Sequence, residues 1–364
     1  MATRTRPGIP EPVGGKTAPA TPVAGWEAAT QEDQGRMAEG RSAGGPRDPV
    51  RIGGCLVRAG TTSWADRGLV RDGTFYPRKT MTARERLAYY ARRLPLAEIS
   101  TTYRFPPTPE LCAQWAERTP VGFSFDLRAW SLLTGCPTLP DSLWPDLHQE
   151  VRPAHRDGRR LYPQHLSSDG LEECWARFAH AVRPLADSGR LGAVVLRYPS
   201  WAGPRPETIE ELVRLPERLP GLPLAVELRN PKWLAGAVAD DTFELLEAHG
   251  LGFVCVDGPD RGAAGGEEGS SLPQAGASFP AAVAATTDVG VVRFEGRRSV
   301  EGEPWTWPYR YAEEELSGWL PAVLALAQSS REVHLVFDNG PGADAVANAL
   351  AMLDAVAETA RRVA

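Results

Sequence analysis

Cysteine is scarce in this sequence and is not arranged in pairs. The 364 residues include five cysteines, and no two of them form a Cys-x-x-Cys motif. An odd number of scattered thiols argues against a disulfide framework, and it is typical of a reducing compartment in which thiols act as small apolar side chains. We therefore expect a cytoplasmic protein.

Long hydrophobic runs are also missing. No stretch approaches the roughly 18–20 apolar residues of a membrane span, and no apolar segment follows the arginines near the N-terminus, so neither a membrane helix nor a signal peptide is expected. A net charge of −6 argues against strong general binding to nucleic acid or to anionic membranes, because the overall field repels polyanions.

The local motifs of several common enzyme classes are absent. The sequence contains no Gly-x-Ser-x-Gly elbow, no Walker loop and no Gly-x-Gly-x-x-Gly after a strand. The six histidines are not spaced as metal ligands, so no metal site is predicted, although several strand-end carboxylates leave a divalent cation open. No cofactor is indicated.

What the sequence does contain is one pattern repeated eight times. Eight short apolar runs recur between residues 55 and 338, and most are followed by a stretch with helical spacing. Strands buried on both faces appear as such runs, and a strand–helix alternation implies a parallel sheet. Eight units predict an α/β fold, a single-domain (β/α)8 barrel of the triosephosphate-isomerase type, with its active site where the strands end. The runs end near Trp64, Thr101, Arg128, Tyr198, Arg229, Asp257, Glu295 and Asn339.

The domain organisation follows from composition. Residues 1–50 are rich in Pro, Gly, Ala and Thr, and we expect a disordered tail because such a segment cannot bury enough apolar surface to offset its ordering entropy. Residues 51–364 would form the barrel, with helices predicted at 82–93, 109–118, 171–188, 207–217, 240–249, 312–326 and 343–361.

Two insertions interrupt the repeat, at about 137–170 and about 258–287, and both exceed the roughly 12–15 residues of ordinary loops. Both follow strands, so both would emerge at the active face, where they could act as lids. The second insertion is rich in glycine, and for it an ordinary surface loop is the favoured interpretation.

Arginine is the most informative residue type at the strand ends. Arg128, Arg197, Arg229 and Arg293 end the third, fourth, fifth and seventh runs. Guanidinium groups that converge on one mouth would form an anion site, since their fork geometry matches phosphate and carboxylate. The alternative is that some of them point outward over the helices. We expect at least two to face the mouth.

Carboxylates accompany these arginines. Glu227 and Arg229 have the period of a strand and would face the same side, as a pair that holds a ligand or as a structural ion pair. Glu295 and Asp338 end later runs and are candidate acid–base partners. Further candidate contacts to a substrate, from their place near strand ends, are Trp64, Tyr103, Trp233 and Asn339.

Motifs in a fixed order give a family resemblance from about residue 55 to the C-terminus. Gly60-Thr61-Thr62-Ser63-Trp64 resembles the opening motif of the domain-of-unknown-function family 72 (YecE-like). Glu227-Leu228-Arg229-Asn230, then Arg293 with Gly296, then Phe337 with Asn339 follow in the expected order. The resemblance implies a barrel of the triosephosphate-isomerase type and implies no reaction.

The chain also departs from that pattern. The family's lysine at the end of the third strand is replaced by Arg128, its Arg-x-His-Gly near the seventh strand reads Arg293-Phe294-Glu295-Gly296, and an asparagine near the eighth strand reads Asp338. If the family histidine is catalytic, this chain has lost it, which favours a divergent specificity or a non-catalytic member.

Three functions stay open at this point, since a fold alone does not choose among them. The first is an enzyme for a small phosphorylated or anionic substrate, with the four arginines as the clamp, Glu227 orienting the substrate or acting as base, and Glu295 or Asp338 as the acid–base partner. The second is a glycosidase-like hydrolase that uses Glu227 and Glu295. The third is a non-catalytic binding protein for a nucleic-acid or protein partner. We predict the first; the oligomeric state is not indicated.

Overall fold

The computed structural model describes residues 47–258, 282–296, 309–340 and 342–363. The predicted tail therefore lies outside the described residues up to residue 46, and the predicted second insertion lies outside them from 259 to 281.

Nine strands in the described ranges form one sheet. Strands β2 to β9 pair in parallel with their neighbours in chain order, and β9 pairs with β2, which closes an eight-stranded barrel. The predicted barrel is confirmed, and each of the eight apolar runs is one of these strands. The bounds are β1 Val50–Ile52, β2 Cys55–Thr61, β3 Leu96–Ile99, β4 Ser124–Arg128, β5 Leu191–Tyr198, β6 Leu224–Leu228, β7 Leu251–Asp257, β8 Val289–Phe294 and β9 Glu332–Phe337.

Strand β1 was not predicted. It runs antiparallel to β2, and the two are joined by Gly53-Gly54, with Gly53 at φ 55°. A Gly-Gly pair between two strands is a hairpin signal, because glycine tolerates the positive φ that such turns require. Three residues are too few for strand alternation to be recognised.

Ten α-helices surround the strands in the described residues, and all seven helical stretches predicted from spacing are found. Two of those stretches are divided, and the second piece of each has a proline in its first turn, Pro216 and Pro321, because proline cannot donate to the preceding turn. The bounds are α1 Arg67–Asp72, α2 Ala83–Tyr90, α3 Pro109–Glu117, α4 Ser168–Asp187, α5 Pro206–Val213, α6 Leu215–Arg218, α7 Val238–Ala248, α8 Glu313–Gly318, α9 Leu320–Ser329 and α10 Asp344–Val363.

Local sequence explains where several helices begin. The Thr82 hydroxyl accepts from the Glu85 amide while the Glu85 carboxylate accepts from the Thr82 amide, a reciprocal capping box that satisfies two otherwise free donors. Asp66 accepts from the amides of Gly68 and Leu69 and so starts the short α1, which the spacing analysis did not find because six residues give little periodicity.

The apolar core has two parts. The larger part lies between strands and helices and buries long side chains such as Phe178 and Met352; each contributes about 1.5–3 kcal/mol relative to exposure. The smaller part is a cluster of alanine and valine side chains in the barrel interior, and charged side chains lie at both ends of that interior. The interior apolar cluster consists of Ala193, Val195, Ala225, Val254, Val256 and Val291.

The first insertion is folded. Residues 137–167 contain four short 3-10 helices and two antiparallel bridges, Thr138 with Leu161 and Val151 with Leu166. Leu143 and Leu147 are buried against the main core. The segment is thus anchored over the barrel wall, and its proposed action as a lid stays a prediction.

The amino end of the barrel interior carries the floor cluster, which consists of Arg58, Asp126, Glu332 and His334. His334 Nδ1 lies 2.9 Å from Asp126 Oδ1 and Nε2 lies 3.1 Å from Glu332 Oε2, while Arg58 Nε donates to Glu332 Oε2 at 2.7 Å. Burial by itself would lower the pKa of His334, but the two carboxylates outweigh burial and raise the pKa to about 9. The imidazole is therefore a buried cation at neutral pH.

The close approach of β2 and β3 depends on Gly60. An added Cβ there would overlap the carbonyl oxygen of its register partner Leu96, a backbone atom that cannot move aside. We expect Gly60→Ala to lower the free energy of unfolding by about 1–3 kcal/mol in urea denaturation. Gly54→Ala, which meets open space, is the control and should stay within about 0.5 kcal/mol of the parent. Equal effects of the two changes would contradict this account.

Candidate functional site

The carboxyl ends of the strands bring eight charged side chains together, which we call the mouth cluster. Four are guanidiniums and four are carboxylates, so their formal charges cancel. Ion pairs connect all eight into one network. The members are Glu98, Arg128, Arg197, Glu227, Arg229, Arg293, Glu295 and Asp338.

Arg293 is the centre of the mouth cluster and has no exposed area. Its Nε donates to Glu227 Oε2 at 2.7 Å, and its two terminal nitrogens donate to both oxygens of Glu98. Burial by itself would lower the pKa of Arg293, but the charges of Glu98 and Glu227 raise it. The pKa of Glu98 is lowered, because Arg128 and Arg293 together outweigh the effect of burial.

Glu227 faces three guanidiniums. Besides Arg293, its Oε1 lies 3.2 Å from Arg229 Nη1 and 3.3 Å from Arg197 Nε. Burial would raise the pKa of Glu227, but the three guanidiniums lower it to about 2. Glu227 is thus ionised and has no exposed area, an arrangement suited to orienting the arginines around it.

The rim of the mouth is more open. The side chains of Arg197 and Asp338 are 23% and 33% exposed, against 10% for Arg128 and 9% for Arg229. Arg229 Nη2 lies 2.7 Å from Glu295 Oε2. A substrate that reached the mouth would therefore meet Arg197 and Asp338 first.

Asp338 differs from the other carboxylates. Arg128 Nη2 and Arg293 Nη1 lie 3.5 and 3.6 Å from its Oδ2, and Thr62 Oγ1 donates to its Oδ1 at 2.9 Å. Burial raises the pKa of Asp338, and the charges of Glu295 and Glu98 add to this effect, against the two arginines. Asp338 thus has a raised pKa, whereas Glu98, which contacts the same two arginines, has a lowered pKa. Acid–base chemistry uses neighbouring carboxyl groups whose pKa values differ in this way.

Other predicted contact residues have protein partners. Trp64 is buried and packs edge-on against Trp115 at 5.9 Å, and Trp233 Nε1 donates to the carbonyl of Ala202 at 2.7 Å. Asn339 is buried, and its Nδ2 donates to Asn348 Oδ1 at 3.0 Å.

Tyr103 is half-buried in the 3-10 turn Thr101–Tyr103 after β3. The structure thus brings the four arginines, Glu227, Glu295 and Asp338 into one network, while Trp64, Trp233 and Asn339 contact other parts of the protein. A role of these aromatic and amide side chains in ligand contact stays a prediction.

Glu98 is not among the site residues that the sequence predicts. The structure makes Glu98 the partner of Arg128 at 2.8 Å and of Arg293. The available signal was a glutamate inside the otherwise apolar run Leu96–Ile99, since a buried charge requires an ionic partner. Thr62, which donates to Asp338, was seen only as part of the opening motif.

Within residues 47–258, 282–296, 309–340 and 342–363, no group of three or more His, Cys, Asp or Glu is placed to hold a metal ion. In the same ranges no helix combines the length and hydrophobicity that crossing a membrane requires.

The closed parallel barrel, its surrounding helices and a charged cluster at the carboxyl ends of its strands define a (β/α)8 protein of the triosephosphate-isomerase class. The model of the family described as "Protein of unknown function DUF72" matches residues 58–364. The chain belongs to this family.

Relatives agree with this assignment. The UPF0759 protein YunF of Bacillus subtilis (strain 168) is 25% identical over 309 residues, which cover 82% of this chain and 94% of that protein. A DUF72 family protein (EF0366) of Enterococcus faecalis V583 superposes with a TM-score of 0.62 at 24% identity, over 83% of this chain and 95% of that one. A DUF72 family protein (TM1631) of Thermotoga maritima MSB8 gives 0.59 at 25% identity, over 82% and 98%.

Proposed function

We propose that this protein is an enzyme that acts on a small phosphorylated or otherwise anionic substrate at the carboxyl end of the barrel. The observation that carries the proposal is the mouth cluster, in which buried carboxylates hold four guanidiniums in fixed positions. Arginines held in this way are pre-oriented, so that binding an anion costs little reorganisation. Arg197 would make the first contact, and Arg128 and Arg229 would follow.

Within this proposal the carboxylates have different roles. Asp338, with its raised pKa and its partial exposure, is the proton donor. Glu295, paired with Arg229 at 2.7 Å, is the proton acceptor. Glu227 is a positioning residue, because its oxygens face guanidiniums and it has no exposed area. Arg293, which is fully buried, stabilises the mouth cluster through its ion pairs with Glu98 and Glu227.

The two alternatives receive less support. A glycosidase-like mechanism needs two carboxylates that both reach the scissile bond, and the burial of Glu227 argues against that role. A nucleic-acid site needs basic side chains that reach a series of phosphates, whereas Arg128, Arg229 and Arg293 are at most 10% exposed and only Arg197 lies at the rim. An exposed aromatic near the mouth face, Trp201 at 44% exposure, does not by itself favour either alternative.

Two substitutions test the proposal, because one should weaken the binding of an anionic ligand and the other should strengthen it. A thermal-shift screen with phosphorylated metabolites and sugar acids should give a ligand that stabilises the parent protein. Arg197→Ala should weaken that ligand's binding by about tenfold to a hundredfold, the loss of one charge-assisted contact. Asp338→Asn should strengthen binding, since it removes a negative charge beside Arg128 and Arg293, while turnover falls by about 10²- to 10⁴-fold.

Arg331→Ala is the control, because Arg331 pairs with Asp288 at the amino end of the strands and is largely exposed. It should leave binding unchanged. If no anion stabilises the folded parent protein, or if Asp338→Asn weakens anion binding as much as Arg197→Ala does, the proposal is wrong.

A further inference from the structure

A cavity lies on the other side of β5 from the mouth cluster. Arg197 and Tyr198 are consecutive residues at the end of β5, and consecutive strand residues point to opposite faces. Arg197 reaches the mouth cluster, so Tyr198 faces the helices. There it helps to line a cavity of about 260 Å³ between α4 and α5.

The hydroxyl group of Tyr198 is unusual. The residue is 1% exposed, and no hydrogen bond to this hydroxyl is found in the part of the chain that the structure describes. Burial raises the pKa of Tyr198, so the group stays a neutral hydroxyl that can donate and accept. The hydroxyl opens on the cavity and is not sealed in the core, so a hydrogen-bonding group placed in the cavity can reach it.

The charge around the cavity indicates the kind of partner. Helix α5 presents three glutamates to the cavity, Glu207, Glu210 and Glu211, and within the described ranges none of them is in an ion pair. Partial burial raises the pKa of Glu211, an effect larger than the opposing charges of Arg218 and Arg205. The three glutamates are exposed along one face of α5, so their combined charge attracts a cation from solvent to the cavity.

The remaining walls are aromatic and basic. Trp175 from α4 lines the cavity, and the Arg218 guanidinium lies 5.0 Å from its ring centroid. Arg218 is neutralised by Glu172 at 2.6 Å, which leaves Arg214 as the other lining guanidinium. Of the charged side chains that line the cavity, the three glutamates of α5 outnumber the two arginines Arg214 and Arg218, and Arg218 is already paired with Glu172, so an anionic occupant is disfavoured.

We propose that this cavity binds a small organic ammonium ion with a short aliphatic body. The ammonium group donates to the glutamates of α5 and to the Tyr198 hydroxyl oxygen, and the aliphatic body packs against Trp175. Aromatic faces beside carboxylates are a recurrent environment for alkylammonium groups. The volume is below the roughly 300–1,000 Å³ of drug-sized sites, which selects a compact ligand. The site is separate from the mouth cluster and does not depend on the proposed reaction.

Calorimetric titration of the full-length protein with n-butylammonium and 1,4-diaminobutane tests this inference. The parent protein should bind at least one amine saturably at a single site, and n-butanol, which has the same aliphatic body without the charge, should not bind. Tyr198→Phe, which removes only the hydroxyl oxygen, should weaken amine binding by about tenfold. Glu211→Gln should also weaken it, and Glu217→Gln on α6, outside the cavity lining, should leave it unchanged.

The melting temperature of each variant shows whether that variant is folded. Without ligand, Tyr198→Phe should melt at the same temperature as the parent protein or higher, because it removes a hydroxyl that lacks a partner. Arg197→Ala should keep amine binding, which separates this site from the mouth. The inference is overturned if neither amine binds the parent protein, if Tyr198→Phe and Glu211→Gln both bind with parental affinity, or if n-butanol binds as tightly as butylammonium.

Discussion

Replacing Arg293 with methionine is expected to remove a large part of the stability of this protein. Arg293 is fully buried between Glu98 and Glu227, which are themselves fully buried. Without the guanidinium, two carboxylates lose a shared partner inside the barrel, and breaking a buried pair in this way costs about 3–5 kcal/mol. Domains have only about 5–15 kcal/mol in total, so the urea midpoint should fall sharply or folding should fail.

Two further variants make this result interpretable. Arg331→Met removes an arginine whose side chain is 84% exposed and pairs with Asp288, and it should cost no more than about 1 kcal/mol. Adding Glu98→Gln to Arg293→Met should restore part of the lost free energy of unfolding, because one of the two buried carboxylates that lost their guanidinium partner is then uncharged. A single Arg293→Met variant as stable as Arg331→Met would show that the buried carboxylates do not depend on this guanidinium.

The stability of the protein is also expected to fall as the pH rises from neutral to above 9. The folded-state pKa of His334 is about 9, above the ordinary value of about 6.5, so the protonated imidazole stabilises the fold. Its contribution is fully present below about pH 6.5 and is lost as the pH rises through 9; a pKa difference of this size corresponds to about 3 kcal/mol. Urea unfolding at pH 6, 7.5 and 9.5 measures the loss.

The floor cluster also predicts that the stability of the protein falls at low pH. The pKa of Glu332 is about 2, because His334 and Arg58 outweigh the effect of burial. Its contribution is present above about pH 4.5 and is lost as the pH falls through 2. Since Glu332 and His334 share one contact, the two contributions overlap in part and are not fully additive.

The control for the alkaline loss is a paired substitution. His334→Gln combined with Asp126→Asn keeps polar groups in the floor cluster but removes the titration of His334, so stability should fall less between pH 6 and 9.5 than in the parent protein. A smaller fall remains above about pH 8.5, because burial also raises the pKa of the Cys112 and Cys174 thiols. The exposed His148→Gln should keep the parental slope. Equal stability of the parent protein at pH 6 and pH 9.5 would contradict a charged His334.

Much of the fold could be predicted because its signals are local. A strand between two helical layers needs a continuous apolar run, and a helix on the surface needs spacing of three to four residues, so the strands and the long helices were found from short windows. Strand β1 and helix α1 were missed because they are too short to show a period, although Gly53-Gly54 and the Asp66 cap mark them.

The sequence alone determined the closed barrel, the order of its strands and the set of charged residues at their carboxyl ends. It could not determine which of those residues pair with one another. Arg293 looked equivalent to Arg197, yet the structure encloses Arg293 between Glu227 and Glu98, which are 66 and 195 positions away in the chain, and leaves Arg197 at the rim.

Tertiary structure also decided that Tyr198 faces a cavity and that Trp64 and Trp233 pack beneath loops. The physical reason is the same in each case. The direction in which a strand side chain points follows from the two-residue period of the strand, which is local. The residue that it contacts comes from another strand when the barrel closes. A buried charge is stable only where this closure places an opposite charge beside it.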